Sequence, residues 1–497
     1  MQSRYLDQAF IYQLNTRVFC KENNMNLETI SDRFFHSYEF KAADFIWFMG
    51  VWKPSGASKK IAREHAGLQS EYRKALSDLT DDDIAGSPYS ISEYQPNPIL
   101  CKGMSKIREL KLKLEKQGKK LILDFVPNHM SVDSPLIDQY PDLFLFKEGA
   151  ETDQNSFLHR NGRVYFHGRD PYFDGWTDTV QWDFSRPGVL TLHRQFLLEI
   201  ADVCHGVRCD MAMLPMKDVF EKTHGKTAID YWKPLIDSIR QVYPNFIFMG
   251  EVYWNREYDL QQEGFDFTYD KTLYDRLKSG TGYEIRSHLQ AEESFQKKSL
   301  RFMENHDEER AYHAFGERSI HCFSLLNFIP GAILYHEGQS LGLEIKLPVQ
   351  LSRASRENSK PEVQEFYKRC FTQLIHRKHS ELYREDLTFH PFDSAENLFI
   401  SFSLCYTTEK VLHQYKTKEY NLEILTFNPE SREIAGWLHP GKQSLDILHG
   451  IHSDKVIMTD VLTGLTYEKD KKEIFEKGIY VNLKPSYAHW FVVHISG

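Results

Sequence analysis

Nowhere does the sequence hold an uninterrupted apolar stretch long enough to span a bilayer, so no membrane partner is expected. Positive charge is not in excess either. The 61 Lys and Arg residues face 70 Asp and Glu, and the net charge of −9 argues against a general nucleic-acid binder. Cysteine is sparse: the seven, at positions 20, 101, 204, 209, 322, 370 and 405, include no close pair of the metal-binding kind. Free buried thiols in a reducing compartment are the simplest account. The N-terminal stretch MQSRYLDQAFIYQLNTRVF has no continuous apolar core of the secretory type, which gives the expectation of a cytoplasmic protein. Internal repeats and low-complexity tracts are absent as well.

What is present is the composition of a large globular fold. Hydrophobic residues make up 41% and charged residues 26%, which is ordinary, and 497 residues suffice for a large barrel with one or two smaller units. Aromatic content, at 14%, is on the high side; most of these rings belong in a core, and a handful are available as flat platforms in a site.

Four short segments organise the chain: LILDFVPNH (121–129), GVRCDMAML (206–214), FIFMGEVYW (246–254) and LRFMENHDEER (300–310). Each carries an apolar run with a carboxylate, His or Arg at or beyond it. In a barrel of parallel strands, side chains at the strand ends point into one pocket at the carboxyl face. Asp210, Glu251 and Asp307 would then meet, with His129, Arg208 and His306 around them.

Helix-like stretches alternate with the strand-like ones. The first strand is expected within AFIYQLNTRVF (9–19) and the second within DFIWFMGVW (44–52). The segment 104–120 places Ile107, Leu110 and Leu114 on one helical face, and Gly118 suits its end. Segment 187–203 sets Leu192, Phe196 and Ile200 on a stripe behind Pro187, and 230–245 does so with Trp232, Leu235, Ile239 and Val242. Repeated strand–helix units of this size indicate a parallel α/β fold, with a closed barrel as the favoured form. A segment rich in Asp, Gly, Pro and aromatics interrupts the repeat after His129, and its Trp176 and Trp182 read either as platforms or as a small core. From about residue 385, alternating strand-like runs with turn signals indicate an all-β C-terminal unit.

Taken in order, the four segments resemble the signature regions of the α-amylase family of glycoside hydrolases (family 13). Asp124, Asn128 and His129 match the first region, Arg208 and Asp210 the second, Glu251 the third, and His306 and Asp307 the fourth. GSPYSISEY (86–94) resembles the segment after the second strand, with Tyr89 as ring platform, and PGAILYHEGQSLG (330–342) the eighth-strand region. The resemblance implies a (β/α)8 TIM barrel (1–129 and 187–385), an inserted lobe after strand 3 (130–186) and a C-terminal β-sandwich (386–497). It implies a carbohydrate substrate, an α-glucan or oligosaccharide, and no cofactor for the chemistry. Where many relatives carry Lys-His after the second-region Asp, this chain has Met213 and Leu214. The His of that pair helps hold a structural calcium in those relatives and the Lys contacts sugar, so the sequence departs there from the calcium and acceptor patterns. No residue is assigned as a metal ligand.

The resemblance makes Asp210 the nucleophile and Glu251 the general acid and later base of a retaining glycosidase, a pair that sits about 5–5.5 Å apart in such enzymes. Asp307, His129 and His306 would bind ring hydroxyls. Arg208, two residues before Asp210, falls on the same strand face and is suited to orient that carboxylate and hold it ionised. Glu251 must be protonated when it acts, and Phe248, Met249 and Trp254 are candidates to desolvate it. Asp124, within its strand, and Asn128 read as structural neighbours of the pocket. Transfer to another sugar or to phosphate uses the same nucleophile and stays open beside hydrolysis. A non-catalytic carbohydrate-binding protein fits less well with three retained carboxylates.

Overall fold

Strands that are apolar on both faces need cover on both sides, and a closed sheet wrapped in helices supplies it. A computed structural model describes residues 8–378, 380–412 and 415–495. Residues 1–7, part of the stretch read above for targeting, lie outside them. Eight parallel strands close a barrel: β1 (Phe10–Asn15), β2 (Phe45–Met49), β3 (Lys120–Phe125), β4 (Gly206–Cys209), β5 (Ile247–Gly250), β6 (Phe267–Tyr269), β7 (Ser299–Phe302) and β8 (Ala332–His336). Each pairs with the next in chain order, and β8 returns to β1 with Gln13 opposite His336.

The helices pack on the outside through most of the expected stripe residues, but Val242 lies beyond its helix and is exposed. Helix α1 (Met104–Glu115) buries Ile107, Leu110 and Leu114, and Gly118 beyond it has the left-handed φ of +70° that a glycine accepts without strain. Helix α2 (Pro187–Val203) begins on its proline, and α3 (Trp232–Arg240) buries Trp232, Leu235, Ile236 and Ile239. The first strand is shorter than its apolar run: from Thr16 the chain turns into a helix, Thr16–Glu22, whose Val18, Phe19 and Cys20 stay buried. Apolar residues alone do not distinguish a buried strand from a buried helix.

Between β3 and α2 the chain leaves the barrel through a two-stranded antiparallel stem, His129–Ser131 against Thr179–Gln181, with His129 opposite Gln181. A small three-stranded sheet lies within this excursion. Trp182 is fully buried and stacks on Phe144 at 3.9 Å between ring centroids, so it is core. Trp176 is half-buried beside His129.

After helix α4 (Pro361–Arg377), the described strands are antiparallel and form sheets of six and three that share a second apolar cluster, including Phe389, Leu438, Ile424 and Phe491. The sandwich joins the barrel through a buried polar junction. Fully buried Glu423 accepts from the Tyr406 hydroxyl at 2.7 Å and the Trp490 indole at 2.8 Å, and Arg377 of α4 lies 3.5 Å away. All seven cysteines are buried and unpaired. Among the described residues no helix is long and apolar enough to cross a membrane.

Removing one partner from such a junction strands the others. Glu423→Ala is expected to destabilise the fold by about 3–5 kcal/mol, measured by urea denaturation, because it leaves Arg377 buried without its carboxylate.

Candidate active site

Local backbone pairing sets the two central carboxylates side by side. The Asp210 N–H donates to the Phe125 carbonyl at 2.8 Å and the Glu251 N–H to the Cys209 carbonyl at 3.0 Å, so each ladder continues one residue past its strand. Immediately beyond, Met211, Trp254 and Asn255 take left-handed φ values of 42°, 63° and 59°. Strained non-glycine backbone of this kind gathers at functional sites, where the surrounding structure holds it in place.

Arg208 is the hub. It is wholly buried; its Nη1 donates to Asp210 Oδ1 at 2.7 Å, while Nη2 lies 2.7 Å from Glu251 Oε2 and 3.9 Å from Asp307 Oδ2. The rings of Trp47, Tyr89 and Tyr269 surround the guanidinium, with centroids 5.4, 5.0 and 5.7 Å from its carbon. A planar cation with several fixed donors suits this task; a lysine could not grip two carboxylates in one plane.

Glu251 is held at both oxygens. Oε2 also accepts from the Met211 N–H at 2.7 Å, and Oε1 accepts from the Tyr253 hydroxyl at 2.9 Å. Of its proposed apolar neighbours, Phe248 instead packs on Phe246 and Phe265 under Arg240, and Trp254 meets Tyr172 of the inserted segment. Alternation along β5 sends Phe248 away from the pocket.

Asp307 is the most open of the three, with 40% of its side chain exposed, and its Oδ2 lies 2.9 Å from His306 Nε2. His306 is fixed from two sides, by Gln13 Nε2 at 2.5 Å on Nδ1 and by the Tyr89 hydroxyl at 2.6 Å on Nε2. The structure thus brings Arg208, Asp210, Glu251, Asp307, His306 and Tyr89 into one cluster. Asp124 is buried behind it and accepts from the Trp47 indole at 3.0 Å and the Gly50 N–H at 2.6 Å. Asn128 and His129 stand at the root of the stem: the Asn128 amide pairs with Gln181 at 3.1 Å, and its Nδ2 lies 3.4 Å from His129 Nδ1. Sequence reasoning passed over Gln13, Trp47, Tyr253 and Tyr269. Gln13 and Trp47 lie in the first two apolar runs, where only alternation with the pocket face would have marked them.

Three carboxylates around one guanidinium cannot all be ionised cheaply. Burial pushes the Asp210 carboxyl up to about 8, with Glu251 and Asp307 repelling its charge and Arg208 pulling the other way. The Arg208 contact therefore does not by itself keep Asp210 ionised, contrary to the expectation from sequence. For Asp307 burial also pushes upward, but His306 and Arg208 outweigh it and hold the carboxyl well below its ordinary range. Burial takes His129 down to about 4, so it is neutral near pH 7.

Comparison with known proteins supports the fold independently. No protein-family model matches the chain, and no curated protein matches it. Solved structures do, over their whole length. The α-amylase of Geobacillus thermoleovorans bound to acarbose is 15% identical, with 99% of each chain covered and a TM-score of 0.62. The maltogenic α-amylase AmyB of Thermotoga neapolitana is 16% identical over 100% of both chains, also at 0.62. The Nostoc punctiforme debranching enzyme is 14% identical over 99% of each, at 0.61. The chain has the fold of the α-amylases: a TIM barrel with an antiparallel C-terminal sheet.

The side chains at 213 and 214, where many amylases carry Lys-His, offer no oxygen or nitrogen donor to a metal. The Asn128 amide is taken by Gln181, Met213 and Leu214 are buried apolar residues, and among the described residues no cluster of three or more His, Cys, Asp or Glu could hold a metal ion.

The Asp210 carboxyl sits above its ordinary value of 3.8, so the folded chain keeps a proton that the unfolded chain releases. Stability from this group is present below about pH 4 and lost as pH rises towards 8. Asp210→Asn, which removes the crowded charge at nearly constant volume, is expected to raise stability at pH 8 by about 1–3 kcal/mol and to flatten that pH dependence. Thermal melts of both proteins from pH 5 to 9 measure it.

Proposed function

We propose that this protein is a retaining α-glycosidase acting on the α-glucosidic bonds of an α-glucan or oligosaccharide. The observation that carries the reading is the pair of carboxylates, Asp210 and Glu251, gripped by neighbouring nitrogens of one buried guanidinium at the carboxyl ends of adjacent barrel strands. Two carboxyl groups held by one guanidinium support double displacement, which needs a pair flanking one acetal. The solved relatives in fold were described with acarbose, maltose and isomaltulose, which agrees with a carbohydrate substrate.

In this reading Asp210 attacks the anomeric carbon while Glu251 gives its proton to the departing glycosidic oxygen, leaving a glycosyl ester on Asp210. Glu251, now a carboxylate, takes a proton from water, which attacks the same carbon and frees Asp210. Asp307 and His306 hold ring hydroxyls and favour the flattened, positively charged sugar of the transition state. Arg208 keeps the carboxylates in register, and Tyr253 fixes Glu251 against rotation.

The chemistry needs one proton on the Asp210/Glu251 pair, residing on Glu251 when the substrate is bound. With Asp210 pushed up to about 8 in the free protein, the pair retains a proton at neutrality, and proton occupancy belongs to the pair rather than to either residue. Activity therefore falls as pH rises through about 8. Seven free, buried thiols suit a reducing compartment, which supports a cytoplasmic location for the proposed enzyme.

Product analysis with malto-oligosaccharides, with and without phosphate, tests the reading: shorter chains with retained anomeric configuration support it. Longer chains or sugar phosphates would assign the intermediate to another acceptor, and untouched substrate would contradict it. Asp210→Asn is expected to lower kcat by roughly a thousandfold or more. Glu251→Gln should lose far less on substrates whose leaving group needs no proton, such as an α-glucosyl fluoride, than on maltotriose. Equal losses on both would rule out Glu251 as the acid.

A further inference from the structure

The eighth strand carries a polar ring into the site that nothing above uses. Tyr335 faces outward, with its ring against Tyr12, Tyr367 and Phe371. Alternation then turns its neighbour His336 into the barrel, beside its register partner Gln13, which itself holds His306. His306, Asp307 and Arg310 are the charged or titratable groups that act on it.

His336 is 8% exposed, its Nδ1 is buried with no hydrogen-bond partner, and no described residue bonds its other ring nitrogen. It is not alone. Asn305 Nδ2, Arg310 Nε and Gln339 Oε1 are also buried without a hydrogen bond, all from the segments that leave β7 and β8, whereas Glu304 Oε1 is met by Arg310 Nη1 at 3.1 Å. Buried polar atoms are normally satisfied, and leaving one unmade costs about 1–3 kcal/mol, so such a gathering at the carboxyl end of the barrel suits a site that a polar ligand completes. Burial, with the positive charge of Arg310, keeps the imidazole well below its ordinary value and hence neutral. A neutral imidazole offers one donor and one acceptor, the complement of a sugar hydroxyl, which both accepts and donates.

We propose that His336 binds substrate, taking one hydroxyl of the sugar ring that Asp307 and His306 hold. This rests on the glycosidase reading and adds to it a specificity contact from the eighth strand. The ring so recognised carries a free hydroxyl on the β7–β8 side, and a sugar lacking it is discriminated against.

The test is a cycle of protein and substrate changes. Wild type, His336→Phe and His336→Gln, each verified as folded by circular dichroism, are assayed on α-glucosyl fluoride and its four monodeoxy analogues. The expected result is a roughly tenfold loss of kcat/KM for His336→Phe on the parent fluoride. One deoxy analogue should lose about as much with wild type and nothing further with the variant, and His336→Gln should recover part of the loss on the parent. An equal loss on the parent and every analogue, as from a water-filled structural pocket, would overturn the proposal while leaving the glycosidase reading intact, as would no loss at all. A wild type inert to the fluoride and to malto-oligosaccharides would overturn that reading and this proposal together. If His336→Phe does not fold, the same cycle with His336→Gln decides, since a smaller but analogue-specific loss supports the contact and a uniform one refutes it.

Discussion

One buried cation organises this molecule's pocket. Arg208 is removed from water entirely, and such a charge is tolerated only when carboxylates and ring faces replace its hydration. Asp210, Glu251 and Asp307 supply the countercharge, and Trp47, Tyr89 and Tyr269 supply the faces. Because the guanidinium is planar, whatever it grips is drawn into one geometry. Carboxylates from three different strand ends therefore converge.

The same arrangement leaves the site overcharged. One guanidinium does not neutralise three carboxylates; burial and the neighbouring acids raise the Asp210 carboxyl, and the backbone beside it is left-handed at Met211, Trp254 and Asn255. Such features weaken a fold and are held in place by the rest of it, here a barrel with nearly every strand residue buried and a sandwich tied to it through Glu423. A proton retained by the crowded pair is also what an acid catalyst needs. The electrostatic strain and the proposed chemistry have one origin.

Much of this was legible in the residues because the barrel converts sequence order into spatial convergence. Helices α1, α2 and α3 were readable from their apolar stripes, and the pocket-facing acids stood out because charge at the end of a buried run has few structural explanations. What stayed hidden has physical reasons too. Gln13 and Trp47 are embedded in apolar runs whose inward and outward faces look alike when both are buried. Tyr253 contacts Glu251 through a turn with left-handed residues after it, and turns of this kind carry no periodic signal. Phe248, a candidate to desolvate Glu251, faces away from it, because neighbouring hydrophobics in a central strand do not announce their direction. The apolar run after Asn15 became a helix for the same reason.

The central claim is that Asp210 is the nucleophile among the three acids around Arg208. A 5-fluoro-α-glucosyl fluoride tests it most directly, since its first fluoride leaves readily while the second slows breakdown of the resulting ester. Intact-mass and peptide mass spectrometry of the trapped protein should reveal one fluoroglucosyl group per chain, on the peptide containing Asp210, and none on Asp210→Asn. A label on another residue, or full turnover by Asp210→Asn, would contradict the account.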